Sequence, residues 1–275
     1  MKTNNLLITL LIFSFLGCKQ EPSTIIDSYM YVQNEGREKK DWKIVWEDHF
    51  DGTEMDTAKW TRIPPNNADW GRHMTTNDVC YELKDGKLYL KGINNPDTVS
   101  DPRPFLTGGV YTKHKFAFQY GKIEIHAKLE SAQGAWPAIW LLGEKNKYGG
   151  WPHSGEIDIM EHLNYDDIIY QTTHSNYTIN LKQKHNPPHG GTAKIDAGKF
   201  NTFGLVWYPD SLVFTLNGEK TFAYPRVEDV DKSQWPYDQP FYILIDQQLG
   251  GSWVGGVNPE DLPVNMIVDY VKVYQ

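Results

Sequence analysis

From Trp42 onward the chain is written in short runs in which apolar and polar side chains alternate. KIVWEDHF, GKLYLKGI, GKIEIHAKL, EIDIM, SLVFTLNG and MIVDYVKVY are each about a strand long, and Gly, Pro, Asn and Asp punctuate them. A period of two sends successive side chains to opposite faces, so each run reads as a strand with one face toward a core. No helical period intervenes, and the recurrence predicts an all-β, antiparallel sandwich or barrel. Asn217-Gly218 supplies a hairpin signal, because Asn-Gly readily takes the positive φ angles of a tight turn. There is no internal repeat, and one domain over residues 41–275 is the simplest account.

The N-terminus is patterned differently. Lys2, the apolar run Leu6 to Leu16 and then Gly17-Cys18 read as a signal peptide over residues 1–17, and the run is too short to span a bilayer as a stable helix. Gly17-Cys18 resembles the lipobox of bacterial lipoproteins, with Phe15 where Leu is usual, and this implies lipidation of Cys18. An ordinary signal peptide that contains a Cys is the alternative. Residues 18–40 lack a sustained period and end in a charge run, as a tether would. The expected location is therefore the outer membrane or cell surface, with the membrane as a partner through Cys18.

With Cys18 modified, Cys80 is the remaining thiol and no intramolecular disulfide can form, so stability has to come from a core. The 40% hydrophobic content can supply one. A formal charge of −8 excludes nucleic acid as a natural partner. The 10 Trp and 16 Tyr either fill a β core or offer flat apolar rings on which sugars stack. A monomer is expected.

The sequence Gly155-Glu156-Ile157-Asp158-Ile159-Met160-Glu161-His162 carries candidate chemistry. On a helix Glu156 and Glu161 would lie ~140° apart, at about 100° per residue, and could not share a site. On a strand Glu156 and Asp158 share a face, ~7 Å apart, with Ile157 and Ile159 on the other. Strict alternation would then place Met160 beside them. One extra residue after Asp158, a β-bulge, would return Glu161 to the acidic face. Three acids on one face repel, so such a cluster signals pKa tuning or metal binding rather than stability. A solvated acidic face and a metal site that uses His162 are the rival readings. Two carboxylates ~5 Å apart suit retaining glycoside hydrolysis, with Asp158 holding the nucleophile and helping to raise the acid's pKa.

Glu156-Ile157-Asp158-Ile159-Met160-Glu161 resembles the signature of glycoside hydrolase family 16, and so do Gly134-Ala135-Trp136-Pro137-Ala138-Ile139-Trp140, Trp235 to Phe241 and Val268 to Tyr274. The resemblance implies a β-jelly-roll sandwich of two antiparallel sheets with a substrate cleft on its concave face, and retaining, endo-acting chemistry with no cofactor required. Residue by residue it implies Glu156 as nucleophile, Asp158 as assisting acid and Glu161 as general acid/base. His174 matches a His that the family places near the acid/base, where it would orient Glu161 or a sugar hydroxyl. Asp269 matches a residue that holds a structural calcium in some relatives, although calcium wants six or more oxygens.

Trp136 and Trp140 share a strand face and could form a sugar platform, or fill the core. Trp151, in the loop leading into the acidic strand, and Trp253, flanked by glycines, are placed for substrate contact. Substrate is read from departures. Where laminarinase-like relatives carry Trp-Gly-Asn-Asn-Glu and Asn-Leu-Ala-Val-Gly-Gly, this chain has Trp70-Gly71-Arg72-His73-Met74 and Asp246-Gln247-Gln248-Leu249-Gly250-Gly251. The altered pattern favours β-galactosidic bonds in host glycans, such as N-acetyllactosamine chains of mucin O-glycans. An endo-β-1,3(4)-glucanase is the alternative. A non-catalytic carbohydrate-binding lipoprotein would share the aromatics and the leader but has no need of three converging acids.

Overall fold

The computed structural model describes residues 41–275, so the signal peptide, Cys18 and the tether assigned to residues 1–40 lie outside the described residues. Each patterned run forms a strand, and the strands pair antiparallel into two sheets. The first runs Glu219–Pro225, Ser211–Leu216, Phe200–Trp207, Gly121–Leu129, Val264–Tyr274, Lys87–Asn94, Tyr81–Lys84, with Ile44–Asp48 on Val264–Tyr274 and Phe105–Thr107 on Lys87–Asn94. The second runs Gly190–Lys194, Ile168–His174, Glu156–Glu161, Ala135–Gly143, Phe241–Leu249, Gly109–Tyr111, Thr61–Arg62, with Ala117–Phe118 on Phe241–Leu249. Asn217 and Gly218 turn the hairpin between Ser211–Leu216 and Glu219–Pro225 at φ 53° and 86°, as their side chains allow.

The two sheets bury differently, and the difference locates the cleft. Along Gly121–Leu129 the alternation is strict: Ile123, Ile125, Ala127 and Leu129 are buried, while Lys122, Glu124, His126 and Lys128 face outward. Phe241–Leu249 is instead buried at every position. Its Phe241, Ile243 and Ile245 join the core between the sheets with Ile139, Leu141, Ile157 and Ile159. Its Tyr242 and Leu244 pack on the opposite face with Ile63, Met74, Ala138, Trp140 and Trp70. The second sheet is thus covered at one end of its outer face by the segment that carries Ile63, Trp70 and Met74, and the rest of that face is free to hold a substrate.

The expected bulge is present. Asp158 pairs with Trp140 and Met160 with Ile139, so Ile159 is the extra residue; toward the other neighbour, Asp158 pairs with Thr172 and Glu161 with Tyr170. Ile157, Ile159 and Met160 are all fully buried in the core. The slip of one residue turns Glu161 back to the face of Glu156 and Asp158.

Candidate active site

The cleft is an open groove of about 390 Å³ on the outer face of the second sheet. Its floor holds Glu156, Asp158, Glu161 and Trp140, its walls Trp70, Trp136, His174, His189 and Trp253, with Ala138, Thr172 and Gln248 between them. Five predicted residues beyond the acids were Trp136, Trp140, Trp151, His174 and Trp253, and four of them line this groove. The fifth, Trp151, stands at the rim, 58% exposed, and its indole Nε1 donates to Glu156 Oε2. Trp253 is 45% exposed at the tip of a tight loop. Gly251 and Gly255 close that loop by pairing with each other, and a side chain at Gly251 would run into Asp69 Oδ2 and Trp136. The Trp253 ring meets Trp136 and Tyr170 edge-on at 5.7 and 5.1 Å. Trp140 is floor rather than rim: it is 5% exposed and its Nε1 donates to Asp246 Oδ2 at 2.9 Å.

Burial raises every acid of the cluster, because a carboxylate in low dielectric loses its hydration. Glu156 is pushed up to about 7 by burial, against hydrogen bonds from Trp151 and Asp158 that pull it down. Glu161 is pushed up to about 8 by burial; the Trp136 indole, donating to Oε1 at 2.9 Å, opposes this, and the charges of Glu156 and Asp246 add to it. Asp158, 3% exposed between them, is driven well above the ordinary range by burial and then by the charges of Glu156 and Glu161. Burial therefore favours the protonated form of Asp158, and its hydrogen bond with Glu156 favours the carboxylate there. Two hydrogen bonds lower Glu156, whereas one lowers Glu161 and two neighbouring charges raise it, so Glu156 is the readier of the two to ionise. One carboxylate and one carboxylic acid, side by side and opposite in role, are what the cluster offers chemically.

His174 lines the groove, but beside Asp158 rather than Glu161. The register sets it opposite Glu156, with Nε2 3.3 Å from Asp158 Oδ2, whereas Glu161 faces Tyr170. The bulge causes this, since it shifts the second half of the acidic strand by one residue relative to its neighbour. Burial, then the charges of His189 and Lys184, lower His174 to about 4, so it meets Asp158 as a neutral ring.

Among the described residues, Glu156, Asp158 and His174 are the group whose ligand atoms, all within 4.8 Å of one another, could converge on a metal ion. The histidine weighed for that role, His162, is fully buried and its Nε2 donates to the carbonyl of Asp166 at 2.8 Å, away from the acids. Asp269, expected as a calcium ligand, lies on the first sheet, away from the acidic cluster, with its Oδ1 3.3 Å from Lys87 Nζ.

Trp70, Thr172 and Gln248 lie in stretches whose sequence departs from the laminarinase-like pattern but were not named individually as lining residues, and His189 was not named at all. Trp70 meets Trp140 edge-on at 4.9 Å. A lone Trp in a glycine-containing loop was the available signal for it; the others are placed by register alone.

A jelly-roll sandwich with a Trp-walled groove, and a floor on which burial raises three neighbouring carboxyl groups, fits a carbohydrate-active hydrolase. The chain belongs to the glycosyl hydrolases family 16, whose model matches residues 67–271. It is 34% identical over 242 residues to a keratan-sulfate endo-1,4-β-galactosidase of Sphingobacterium multivorum, covering 86% of this chain but 56% of that relative, so it spans just over half of that protein's length. It is 30% identical over 273 residues to a β-glucanase of Rhodothermus marinus, covering 92% of each. The solved laminarinase of Rhodothermus marinus superposes with a TM-score of 0.77 at 29% identity, covering 85% of this chain and 97% of that one.

Proposed function

We propose that the protein is a retaining endo-glycosidase that cuts internal β-galactosidic bonds in N-acetyllactosamine-type glycans. The observation that carries the reaction is the opposed tuning of Glu156 and Glu161 on one cleft floor. Glu156, the first to ionise and steadied by Trp151 and Asp158, attacks the anomeric carbon. Glu161, still protonated, gives its proton to the leaving oxygen and afterwards takes one from water. The groove is open rather than a closed pocket, which suits a chain that enters along its length. For the galactosidic bond, support comes from the similarity to a keratan-sulfate endo-1,4-β-galactosidase and from Gln248 at a cleft position where laminarinase-like sequences carry Ala. The likeness to solved laminarinases favours an endo-β-1,3(4)-glucanase as the second reading.

Two experiments test this. On an activated aryl β-glycoside, Glu156→Ala is expected to abolish turnover, and Glu161→Ala to retain formation of the intermediate with azide restoring turnover as a β-glycosyl azide. Swapped outcomes would exchange the two roles, and the absence of rescue in both would remove the assignment. On a panel of desulfated keratan, mucin, laminarin and mixed-linkage glucan, new reducing ends are expected from the first two. Cleavage of the glucans alone would replace the galactosidic reading by the second.

A further inference from the structure

Gln248 and Asp246 have no part in the chemistry above, yet both are buried under the cleft. Asp246 is fully buried, one strand spacing beyond Ala138, which in turn pairs with Glu161. Both of its oxygens are occupied as acceptors: Oδ2 takes the Trp140 Nε1–H at 2.9 Å, and Oδ1 takes the Gln248 Nε2–H at 2.7 Å. That arrangement matches an ionised carboxylate, which has only lone pairs to offer. It also fixes which way the Gln248 amide is turned. With Nε2 held by Asp246, Oε1 is left as the free end, and it has no partner in the protein. Gln248 is 2% exposed, lines the groove and pairs in register with Trp136, the indole that holds Glu161. A buried amide oxygen without a partner is costly unless something supplies a donor when the site is in use.

We propose that Gln248 is a specificity-determining hydrogen-bond acceptor for an O–H or N–H group of the bound sugar chain, and that Asp246 is the positioning residue that aims it. Ala at position 248 would remove this amide oxygen and leave only Asp246 Oδ1, a fully buried acceptor beneath the floor. A donor-bearing sugar then gains a partner here, and an unsubstituted apolar edge or a sulfate ester, which has no hydrogen to give, gains none. The inference rests on the groove being a glycan-cutting site and adds which group reads the glycan.

The test exploits the shared polarity of the pair. Gln248→Met keeps the shape and removes the acceptor. Asp246→Asn keeps every heavy-atom position but reverses the pair: its amide oxygen must still receive Trp140 Nε1–H, so its nitrogen faces Gln248, which then turns its oxygen inward and its NH2 to the cleft. Wild type and variants are assayed on desulfated keratan and on laminarin at the plateau of the pH profile, with melting temperatures as a check on folding. On the chain that the wild type cuts, each single variant is expected to lower kcat/KM about 10- to 100-fold, chiefly through KM, and Asp246→Asn to add less than about twofold in the Gln248→Met background. Unchanged kcat/KM in Gln248→Met, or independent losses that multiply in the double variant, would overturn the proposal. Gln248→Met decides by itself if Asp246→Asn does not fold. A wild type inert on desulfated keratan, mucin, laminarin and mixed-linkage glucan alike would bring down the proposed function and this inference with it, whereas an active wild type with an indifferent Gln248→Met brings down the inference alone.

Discussion

The two tryptophans that donate to the acids provide a way to move each ionisation separately. Trp136 Nε1–H lies 2.9 Å from Glu161 Oε1, and Trp151 Nε1–H bonds Glu156 Oε2. Each bond stabilises the carboxylate over the acid, so each holds its glutamate below the value burial alone would impose. Exchange of either Trp for Phe keeps a ring in place and deletes the donor. A hydrogen bond to a charged group contributes about 1.5–3 kcal/mol. At 1.36 kcal/mol per pKa unit that is about 1–2 units, and water that enters the open groove will return part of it, leaving about 1 unit. The sign is the same for both residues, upward, but the consequence for activity is opposite. In the free enzyme the acid limb of kcat/KM reports the nucleophile's ionisation and the basic limb the acid's loss of its proton. Trp136→Phe should therefore move the basic limb up and widen the bell, and Trp151→Phe should move the acid limb up and narrow it. The assay is kcat/KM against pH on the best glycan, with each variant's change in KM recorded separately from the limbs. A basic limb that stays put or falls in Trp136→Phe would refute the reasoning. So would a bell that widens in Trp151→Phe, because it would mean that the two glutamates had been given each other's roles.

Further outcomes follow from the same site. Glu156, Asp158 and Glu161, together with Asp246, which burial pushes up to about 7, have folded-state pKa values above their unfolded ones, so the stability they leave intact below about pH 4 should be lost as pH rises through values near 7 and 8; melting temperature should fall over that window, and Asp158→Asn should flatten the fall, a result that an unchanged slope would contradict. Trp253→Ala should raise KM about 3- to 10-fold with kcat little altered, since its half-exposed ring contributes contact area and no proton; equal losses in kcat would place it in the chemistry instead. Mass spectrometry of the secreted protein should find an acylated Cys18 at its N-terminus, and an unmodified N-terminus elsewhere would remove the proposed anchor.

What could be read from the sequence was what depends on neighbours along the chain. Alternation marks a strand wherever it occurs, so Gly121–Leu129 and Val264–Tyr274 were legible, and the Asn217-Gly218 turn with them. The bulge was legible too, because three acids at spacings of two and three cannot share a face without one. What could not be read was anything set by pairing across strands. The position of His174 beside Asp158 follows from a register that the bulge itself shifts. Asp246 and Gln248 become a cleft pair only because Phe241–Leu249 lies against Ala135–Gly143 at one particular offset, and no local pattern carries that offset. The contact of Asp269 with Lys87 was hidden for the same reason, since Lys87 reaches it from a neighbouring strand.

The bulge at Ile159 is the point at which stability and chemistry change places along one strand. Before it, Glu156 and Asp158 face the cleft and Ile157 faces the core; after it, two consecutive residues, Ile159 and Met160, are core, and Glu161 returns to the cleft. A regular strand could have supplied three cleft-facing positions, but at equal spacing and in a straight row. The extra residue bends the strand, so the third carboxylate is set at a different angle from the first two. That asymmetry is what lets Trp151 serve Glu156 and Trp136 serve Glu161 without competition, and what gives the two glutamates different neighbours and hence different ionisation. Like charges packed on one floor would otherwise titrate as a single set. The buried apolar face of the same strand fixes the arrangement, because Glu161 cannot rotate away from the cleft without carrying Met160 or Ile159 out of a core in which both are fully buried. Substitutions on the core side of this strand should therefore damage folding first and activity as a consequence, while those on the cleft side should spare or even raise stability as activity is lost.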